Sequence, residues 1–364
     1  MTRTRRIAAI ALPMLLIVAA CGSDSDDDAA GTGSASASEP TETVDDGASA
    51  AAADGEEAAS DDDMSTSYPL TIETCGVSST LDGPPESILV FYSFEEPLLL
   101  WGLGDAIDLF VSFGADSAYP GVNEMYADLE ITTDQPGREA LIAMAPDLIL
   151  TASDFAFNEE AGFLSREDVH ELGIATWLPQ SMCAQDKADP PADEAEALRN
   201  RDYDQVVDDL LELGEIVDRQ AEAMALAAEM DAKMAEVEAR VPDGDPVPVA
   251  LLSATADASD IFGVYTGGVN EDLIRRAGGV NPFRNEDTGQ FESLSVEELT
   301  VTPLDAVLTD LPLDPGAEET LLAQFPTWPA SETGTYAYIP SILGGPGMPW
   351  AAEQLVELLY PEAG

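Results

Sequence analysis

The stretch YDQVVDDLLELGEIVDRQAEAMALAAEMDAKMAEVEARV, residues 203–241, decides the fold because it interrupts a regular alternation of strands and helices. Its apolar residues recur at helical spacing, with charged residues between them. We expect Gly214 to divide the run and to leave a helix of about two dozen residues from Val217 to Val241. A coiled-coil surface is the alternative, but the stripe lacks clean heptads. Packing across the two halves of one protein is therefore favoured.

Short apolar strands alternate with helical stretches on both sides of this run, which is the pattern of parallel α/β sheets. The predicted strands are residues 88–92, 109–113, 147–151, 175–178, 248–252 and 305–309. A local repeat relates the halves, because Glu139–Thr151 and Glu297–Thr309 share an E-x-L step at the same offset from an apolar strand. The sequence therefore predicts an α/β fold with two Rossmann-like lobes, bridged by a long α-helix, and a ligand cleft between the lobes.

The N-terminal residues predict export. Three arginines precede the apolar run of residues 7–20, which ends in small residues before Cys21. A basic start, a short apolar segment and small residues are typical of a secretory signal peptide, here residues 1–20. The pattern also resembles the lipobox of bacterial lipoproteins, which implies that the Cys21 thiol is lipidated and becomes the mature N-terminus. An ordinary signal peptide with an incidental cysteine is the alternative.

The segment after the signal predicts a tether. Residues 21–67 consist almost entirely of Asp, Glu, Ala, Ser, Thr and Gly, so they lack the apolar surface that would offset chain entropy. We expect a lipid-anchored, disordered acidic tether, extended by its own repulsion. The remaining predicted boundaries assign 68–202 to an N-terminal α/β lobe, 203–241 to a helical region with the inter-lobe helix, and 242–364 to a C-terminal α/β lobe.

The charge of the chain excludes some partners. It has 71 acidic residues against 14 basic ones, a formal net charge of −57. Such a surface repels nucleic acid and anionic lipid headgroups, so we expect membrane contact through the lipid anchor only. This acidity also fits a hypothesis of life in salty water, where counterions screen the repulsion.

Cys75 and Cys183 remain once Cys21 is lipidated. An even number of cysteines in an oxidising compartment predicts a disulfide between these two, with two free buried thiols as the alternative. The single histidine, His170, is predicted to be a surface residue of a polar helix. One imidazole does not make a histidine-rich zinc or manganese site, so no metal site is predicted.

No catalytic residues are predicted. The glycine-rich stretches lack the phosphate-loop lysine, and the sequence indicates no Ser/His/Asp set around its one histidine. The chain is therefore interpreted as a non-enzyme. The alternative is a lipid-anchored surface hydrolase that uses paired carboxylates such as Asp147 and Asp154, although nothing distinguishes these from the other acids.

Several segments resemble the class III substrate-binding proteins of ABC importers, which carry ferric siderophores, haem or cobalamin. These segments are residues 75–76, 83–90, 96–105, 139–148, 171–174 and 273–281. The sequence departs from the family where Pro303-Leu304-Asp305 stands in place of Pro-Asp. The resemblance covers essentially the whole body after the tether.

The resemblance implies an extracytoplasmic protein, anchored by lipid to the outer face of the cell membrane or periplasmic. It implies a monomer without an intrinsic cofactor that captures a metal chelate and delivers it to an ABC permease and its ATPase. It also implies that Glu139 and Glu297, each in the short helix before its strand, dock onto permease arginines. Ordinary surface carboxylates are the alternative for both.

Ligand contacts are expected from loops at the carboxyl ends of the strands. The candidates are Tyr92, Ser93, Tyr119, Phe155, Phe157, Tyr265, Arg284 and Trp350. Each aromatic residue could equally belong to the core. Because these loops contain almost no Arg or Lys, a neutral or cationic chelate such as a ferric hydroxamate is favoured over an anionic tricatecholate or citrate complex. A cobalamin or haem carrier of the same fold, and a module that only senses or scaffolds, are the alternatives.

Overall fold

The described residues of this computed structural model are 64–112, 114–157, 163–185, 187, 190–253, 261–285 and 290–362. Cys21 and the predicted signal peptide lie outside the described residues, as does the tether up to residue 63. The first described residues contact the body. The Thr66 backbone N–H donates to Asp218 Oδ1 at 2.8 Å, and its hydroxyl donates to the Glu215 carbonyl at 2.6 Å.

A parallel five-stranded sheet forms the N-terminal lobe. The elements are β1 (Leu70–Thr74), β2 (Val77–Leu81), β3 (Ile88–Phe91), α1 (Glu95–Leu100), β4 (Ile107–Val111), α2 (Val122–Met125), β5 (Ile131–Thr132), α3 (Arg138–Met144), β6 (Leu148–Thr151), α4 (Arg166–Glu171), β7 (Ala175–Trp177) and α5 (Ala192–Arg199). The strand order is β5-β4-β3-β6-β7, and β1 with β2 forms a separate antiparallel hairpin. Every residue of β3 and β6 is buried, which explains their unbroken apolar sequences.

Two helices follow this lobe, α6 (Tyr203–Ile216) and α7 (Gln220–Glu238). The chain turns at Asp218, whose φ of 56° lies in the left-handed region. The predicted break at Gly214 is therefore wrong, because Gly214 lies inside α6. The start of α7 packs against it so closely that a Cβ on Gly214 would lie 2.4 Å from the Ala223 Cβ. Gly214 thus permits a close helix contact and does not end a helix.

The C-terminal lobe contains a mixed sheet. Its elements are β8 (Val247–Leu252), β9 (Ile261–Tyr265), α8 (Val269–Arg276), β10 (Gly279–Val280), β11 (Phe291–Ser295), α9 (Val296–Val301), β12 (Ala306–Thr309), α10 (Ala317–Gln324), α11 (Pro329–Thr333), β13 (Tyr336–Tyr338) and α12 (Met348–Leu359). The order is β11-β9-β8-β12-β13, with β10 also paired to β8. Strands β10, β12 and β13 run parallel to their neighbours, whereas β9 and β11 pair antiparallel.

Helix α7 contacts both lobes. The Tyr119 hydroxyl, from the N-terminal lobe, donates to Glu229 Oε1 at 2.9 Å. Lys233 Nζ donates to Glu353 Oε1 on α12 at 2.8 Å, and Arg240 Nη1 reaches the same oxygen at 2.6 Å. The predicted fold, two α/β lobes bridged by a long helix, is confirmed.

Alternate residues of the central strands enter different cores. Ile88 and Val90 of β3 belong to a large core that also contains residues of α6, α7, α12 and the C-terminal sheet. Leu89 and Phe91 face a smaller core under α3 and α4. Ala250 of β8 likewise enters an outer core of the C-terminal lobe. The shared core therefore connects the two sheets through the helices.

Cys75, in the β1–β2 turn, forms a disulfide with Cys183, so the free-thiol alternative is wrong. The predicted surface position of His170 needs correction. Its ring is half-buried, and Nε2 lies 2.8 Å from Thr176 Oγ1. Burial, followed by the positive charge of Arg166, lowers the pKa of His170. Within the described part of the chain, no helix is both long and apolar enough to cross a membrane.

Candidate functional site

A cleft of about 370 Å³ lies between the two lobes. One wall consists of residues 92–97 with the loops after β4 and β6, and the other consists of residues 310–311 and 338–346. These segments follow the carboxyl ends of parallel strands, where open α/β sheets bind ligands. The floor is apolar because Val206, Leu210 and Leu213 share one face of α6, beside Met230 of α7.

Backbone strain is concentrated at this cleft. Tyr92, Phe94 and Ser341 line it, and their φ angles of 67°, 82° and 60° lie in the left-handed region. They are three of the six described non-glycine residues with positive φ. Each such conformation costs about 1–3 kcal/mol and persists where the surroundings enforce it, often at binding sites. The strain supports a functional role for the cleft.

Two consecutive glutamates begin α1 at the cleft wall, and both are more than 90% buried. Glu95 Oε1 accepts the Tyr126 hydroxyl at 2.8 Å. Burial, followed by the charge of Glu96, raises the pKa of Glu95 to about 8. Glu96 accepts the Gly347 amide and the Ser341 hydroxyl, both at 3.1 Å, and burial raises its pKa too.

Among the described lining residues, the basic one is Arg201. Its guanidinium lies 2.5 Å from Asp209 Oδ2 and also hydrogen-bonds Ser181. Burial raises the pKa of Asp209 to about 6, against the opposing effect of Arg201. Asp116 and Asp310 add two further carboxylates to the lining. The cleft therefore offers no uncompensated cation from these residues to an anionic ligand.

Of the predicted ligand residues, Tyr92 and Ser93 line this cleft. The Tyr92 hydroxyl accepts a hydrogen bond from Gln135 Nε2 at 3.0 Å, which holds the ring beside the strand end. These two residues follow β3 directly. The rule that ligands bind beyond strand carboxyl ends therefore selects residues that the folded chain brings to the cleft.

Other predicted ligand residues have different surroundings. The rings of Tyr119 and Trp350 contact each other, with centroids 4.3 Å apart, outside the described cleft lining. Phe157 is buried in the outer core of the N-terminal lobe, where its ring centroid lies 6.1 Å from that of Phe163. The side chain of Phe155 lies outside the described residues.

Tyr265 reaches the cleft indirectly. Its hydroxyl donates to Asp310 Oδ2 at 3.1 Å, so it orients a carboxylate that lines the cleft. Its ring packs edge-on against Phe291 with centroids 5.2 Å apart. Arg284 is exposed, and its guanidinium lies 3.6 Å from Glu271 Oε1, away from the described lining.

Several lining residues were missed from sequence, although signals for some were present. Asp310 and Leu311 directly follow β12, so the rule applied to Tyr92 would also have selected them. Phe94 is the residue directly after Ser93. The role of Glu96 carried no local signal, because its partners Ser341 and Gly347 lie about 250 residues away in sequence.

The two predicted docking residues have matching positions. Glu139 and Glu297 are exposed, and each is the second residue of a short helix before the central strand β6 or β12. Two residues later, Leu141 and Leu299 are fully buried and fasten each helix to its own lobe. The neighbouring Glu298 differs, because its carboxylate accepts the Ser295 amide at 2.8 Å in a capping box.

The carboxylate pair of the hydrolase alternative is not assembled. Asp147 Oδ2 accepts the backbone amides of Glu86 and Ser87 at 2.9 and 3.1 Å, which is a structural role. Asp154 lies 3.6 Å from the Arg166 guanidinium. The two acids lie at opposite ends of β6. In the described ranges, no group of three or more His, Cys, Asp or Glu side chains is placed to hold a metal ion.

Solved structures share this fold. A periplasmic binding protein from Veillonella parvula is 16% identical and matches 80% of this chain and 97% of its own, with a TM-score of 0.66. An ABC-type Fe³⁺-hydroxamate transport protein from Saccharomonospora viridis is 21% identical. It matches 80% of this chain and 98% of its own, with a TM-score of 0.61. A periplasmic heme-binding protein from Roseiflexus is 18% identical over 77% and 99%, with a TM-score of 0.54.

A comparison with curated proteins found no match. A family model, described as periplasmic binding protein, matches residues 127–343. This match spans β6 and β12, which pair with the middle strands β3 and β8 of the two sheets, together with the helices between them. It confirms the resemblance inferred from sequence and identifies a substrate-binding protein rather than an enzyme. The chain belongs to the periplasmic binding protein family.

Proposed function

We propose that the protein captures a ferric hydroxamate, neutral or cationic, in the inter-lobe cleft and delivers it to an ABC permease and its ATPase. Family membership supports substrate binding for import. The cleft volume of about 370 Å³ suits a compact small-molecule ligand. The protein carries no cofactor of its own in this proposal, since the chelate is the cargo.

The observation that carries the ligand class is the pairing of Arg201 with Asp209. Tricatecholate and citrate complexes carry several negative charges, and proteins hold such groups with Arg or Lys. Here the arginine of the described lining is neutralised, and Asp116 and Asp310 would repel an anion. A neutral or cationic chelate meets no such penalty, and the apolar floor suits the hydrocarbon parts of its scaffold.

Tryptophan fluorescence provides the test. The Trp177 ring lies 5.0 Å from that of Phe94, which lines the cleft, so ligand binding should change its emission. The full chain would be titrated with a ferric trihydroxamate, a ferric tricatecholate, haem, cobalamin and uncomplexed ferric ion. We expect saturable quenching by the trihydroxamate at sub-micromolar concentration. Preference for the tricatecholate, haem or cobalamin would contradict the ligand class.

A matched pair of variants locates the binding. Leu311 lines the cleft and is 38% exposed, whereas Leu172 ends α4, is 41% exposed and does not line it. Leu311→Arg should abolish the quenching because it places a bulky cation in the cleft. Leu172→Arg should leave the titration unchanged. Equal effects of the two variants would show that the chelate binds elsewhere.

The location and the docking are part of the same proposal. We infer lipidation of Cys21, the tether and the lobe boundaries from sequence, and a monomeric protein from the resemblance. Cys21→Ser should release the protein from the membrane into the surrounding medium or periplasm. Retention of this variant in the membrane fraction would contradict the lipid anchor. Glu139 and Glu297 are the proposed contacts with the permease.

A further inference from the structure

We infer that each permease-docking surface contains an apolar anchor next to its glutamate: Ile142 on α3 and Val301 on α9. This inference rests on the proposed function, since it concerns how the loaded protein engages the permease. It assigns residues that the sequence pattern does not single out. The partner surface would carry a basic side chain beside an apolar depression, and it would present this combination once to each lobe.

Position on the helix is the first reason. Ile142 follows Glu139 by three residues, and Val301 follows Glu297 by four. Residues at these spacings lie on the same face of an α-helix. The buried Leu141 points to the core instead. Each short helix therefore presents one carboxylate and one aliphatic side chain together.

Exposure is the second reason. Val301 is 79% exposed and Ile142 is 47% exposed. A single exposed aliphatic residue is ordinary. Here, however, one occurs on each of the two helices that occupy equivalent positions in the lobes, both times within one turn of the glutamate. Val301 is also the most exposed of the large apolar side chains in the described part of the chain.

The absence of an ion-pair partner for each exposed glutamate within the described residues is the third reason. Glu139 and Glu297 form no hydrogen bond or ion pair with another described residue, while Glu298 is used by its helix cap. A basic partner complements these exposed carboxylates and steers association. Burial of the adjacent aliphatic side chain then adds contact energy that salt does not screen, in the manner of an interface anchor.

Photo-crosslinking tests this surface without knowledge of the ligand. A photoreactive phenylalanine analogue would replace Ile142, Val301 or, as the control, Leu172 in the full chain, expressed in the cells that naturally produce it. We expect positions 142 and 301 to crosslink to the permease, identified by mass spectrometry as a multi-span membrane protein. Position 172 should not crosslink to it. Crosslinks only to a second copy of this chain, or none at 142 and 301, would overturn the inference.

A double variant measures the contribution of the anchors. Ile142→Ser with Val301→Ser should reduce uptake of iron-55 supplied as the ferric trihydroxamate by roughly tenfold or more at limiting protein. Leu172→Ser with Met224→Ser, which removes two other exposed apolar side chains, is the control. Quenching of tryptophan fluorescence by the ferric trihydroxamate should be equal in the two double variants. If wild-type protein binds no trihydroxamate, the ligand class fails while the crosslinks still decide the docking surface.

Discussion

The carboxylate of Glu96 in the N-terminal lobe accepts a 3.1 Å hydrogen bond from the backbone amide of Gly347, 251 residues later in the C-terminal lobe. Its other oxygen accepts the Ser341 hydroxyl, whose oxygen accepts the Ala118 amide at 3.2 Å. Gly347 is also the N-cap of α12, where a carboxylate is favoured by the helix dipole. This group of bonds joins the two lobes at the wall of the cleft.

Glu96→Ala should lower the free energy of unfolding by about 1–3 kcal/mol, because the buried Gly347 amide and the Ser341 hydroxyl lose an acceptor. Urea denaturation measures this change. Glu124→Ala, at an exposed position on α2, is the control and should be nearly neutral. Equal stability of the two variants would show that the hydrogen bonds to Glu96 do not stabilise the folded protein.

Stability should depend on pH through Glu95. Its pKa is about 8 in the folded protein against an ordinary value of 4.5 for glutamate, so the folded state holds this proton more tightly than the unfolded chain. The stabilisation is complete below pH 4.5 and is lost as pH rises through 8. Glu95 should therefore contribute a fall of about 2–4 kcal/mol in the free energy of unfolding over this range.

Glu95→Gln isolates this contribution, because other buried acids with raised pKa values, such as Asp209 and Glu271, titrate in the same sense. Urea denaturation of the wild type and the variant at several pH values gives the free energy of unfolding of each as a function of pH, and the slopes of the two curves are compared. The variant should show a smaller decline from acid to neutral pH. Parallel curves would mean that Glu95 does not keep its proton in the folded protein.

The disulfide should contribute strongly to stability, because it closes a loop of 108 residues between Cys75 and Cys183. The chain-entropy model gives about 5 kcal/mol for a loop of this length. Cys75→Ser with Cys183→Ser should lower the urea midpoint accordingly. Wild-type protein treated with a reductant should behave like the double variant. A stability loss below about 1 kcal/mol would show that the reduced chain is already constrained.

Asp209→Asn should change ligand selectivity. The substitution removes the charge that neutralises Arg201 at the cleft, so binding of the ferric tricatecholate should rise by about tenfold or more. It should also destabilise the fold by about 3 kcal/mol, because a buried arginine loses its partner. The neighbouring Asp208 is exposed, and Asp208→Asn is the control. If Asp209→Asn binds the ferric tricatecholate no better than wild type or Asp208→Asn does, the Arg201–Asp209 pair does not set the ligand class.

Charge reversal tests the docking residues. Glu139→Lys with Glu297→Lys should reduce iron uptake from the trihydroxamate by about tenfold or more, through repulsion from a basic permease surface. The fluorescence titration should be unaffected, because neither residue lines the cleft. Glu319→Lys, at an exposed position on α10, should retain uptake. Undiminished uptake by the double variant would assign Glu139 and Glu297 to the ordinary surface.

Sequence periodicity predicted the central strands well. The observed β3, β6, β8 and β12 lie within one or two residues of their predicted ranges, since strands buried on both faces have unbroken apolar sequences. The β1–β2 hairpin, β9, β11 and β13 were not predicted. β2, with sequence VSSTL, is partly polar, and β9 contains a glycine, so neither has a strong local pattern.

The candidate site was predicted less completely. Tyr92 and Ser93 follow a predicted strand and line the cleft, while Phe157 follows another and turns into the core. Both aromatic residues satisfy the same sequence rule. The difference arises because Phe157 packs against Phe163 in the outer core of the lobe, and no local pattern specifies which core a ring will fill.

By itself, the sequence determined the α/β class, the central strands, the cysteine pair and the matching positions of Glu139 and Glu297. Each of these follows from local spacing, composition or compartment. Only the tertiary structure decided that α6 continues through Gly214, that Arg201 is neutralised, and that Glu96 joins the lobes. These features depend on contacts such as Gly214 with Ala223 or Glu96 with Gly347, whose packing and desolvation exist only once the chain has folded.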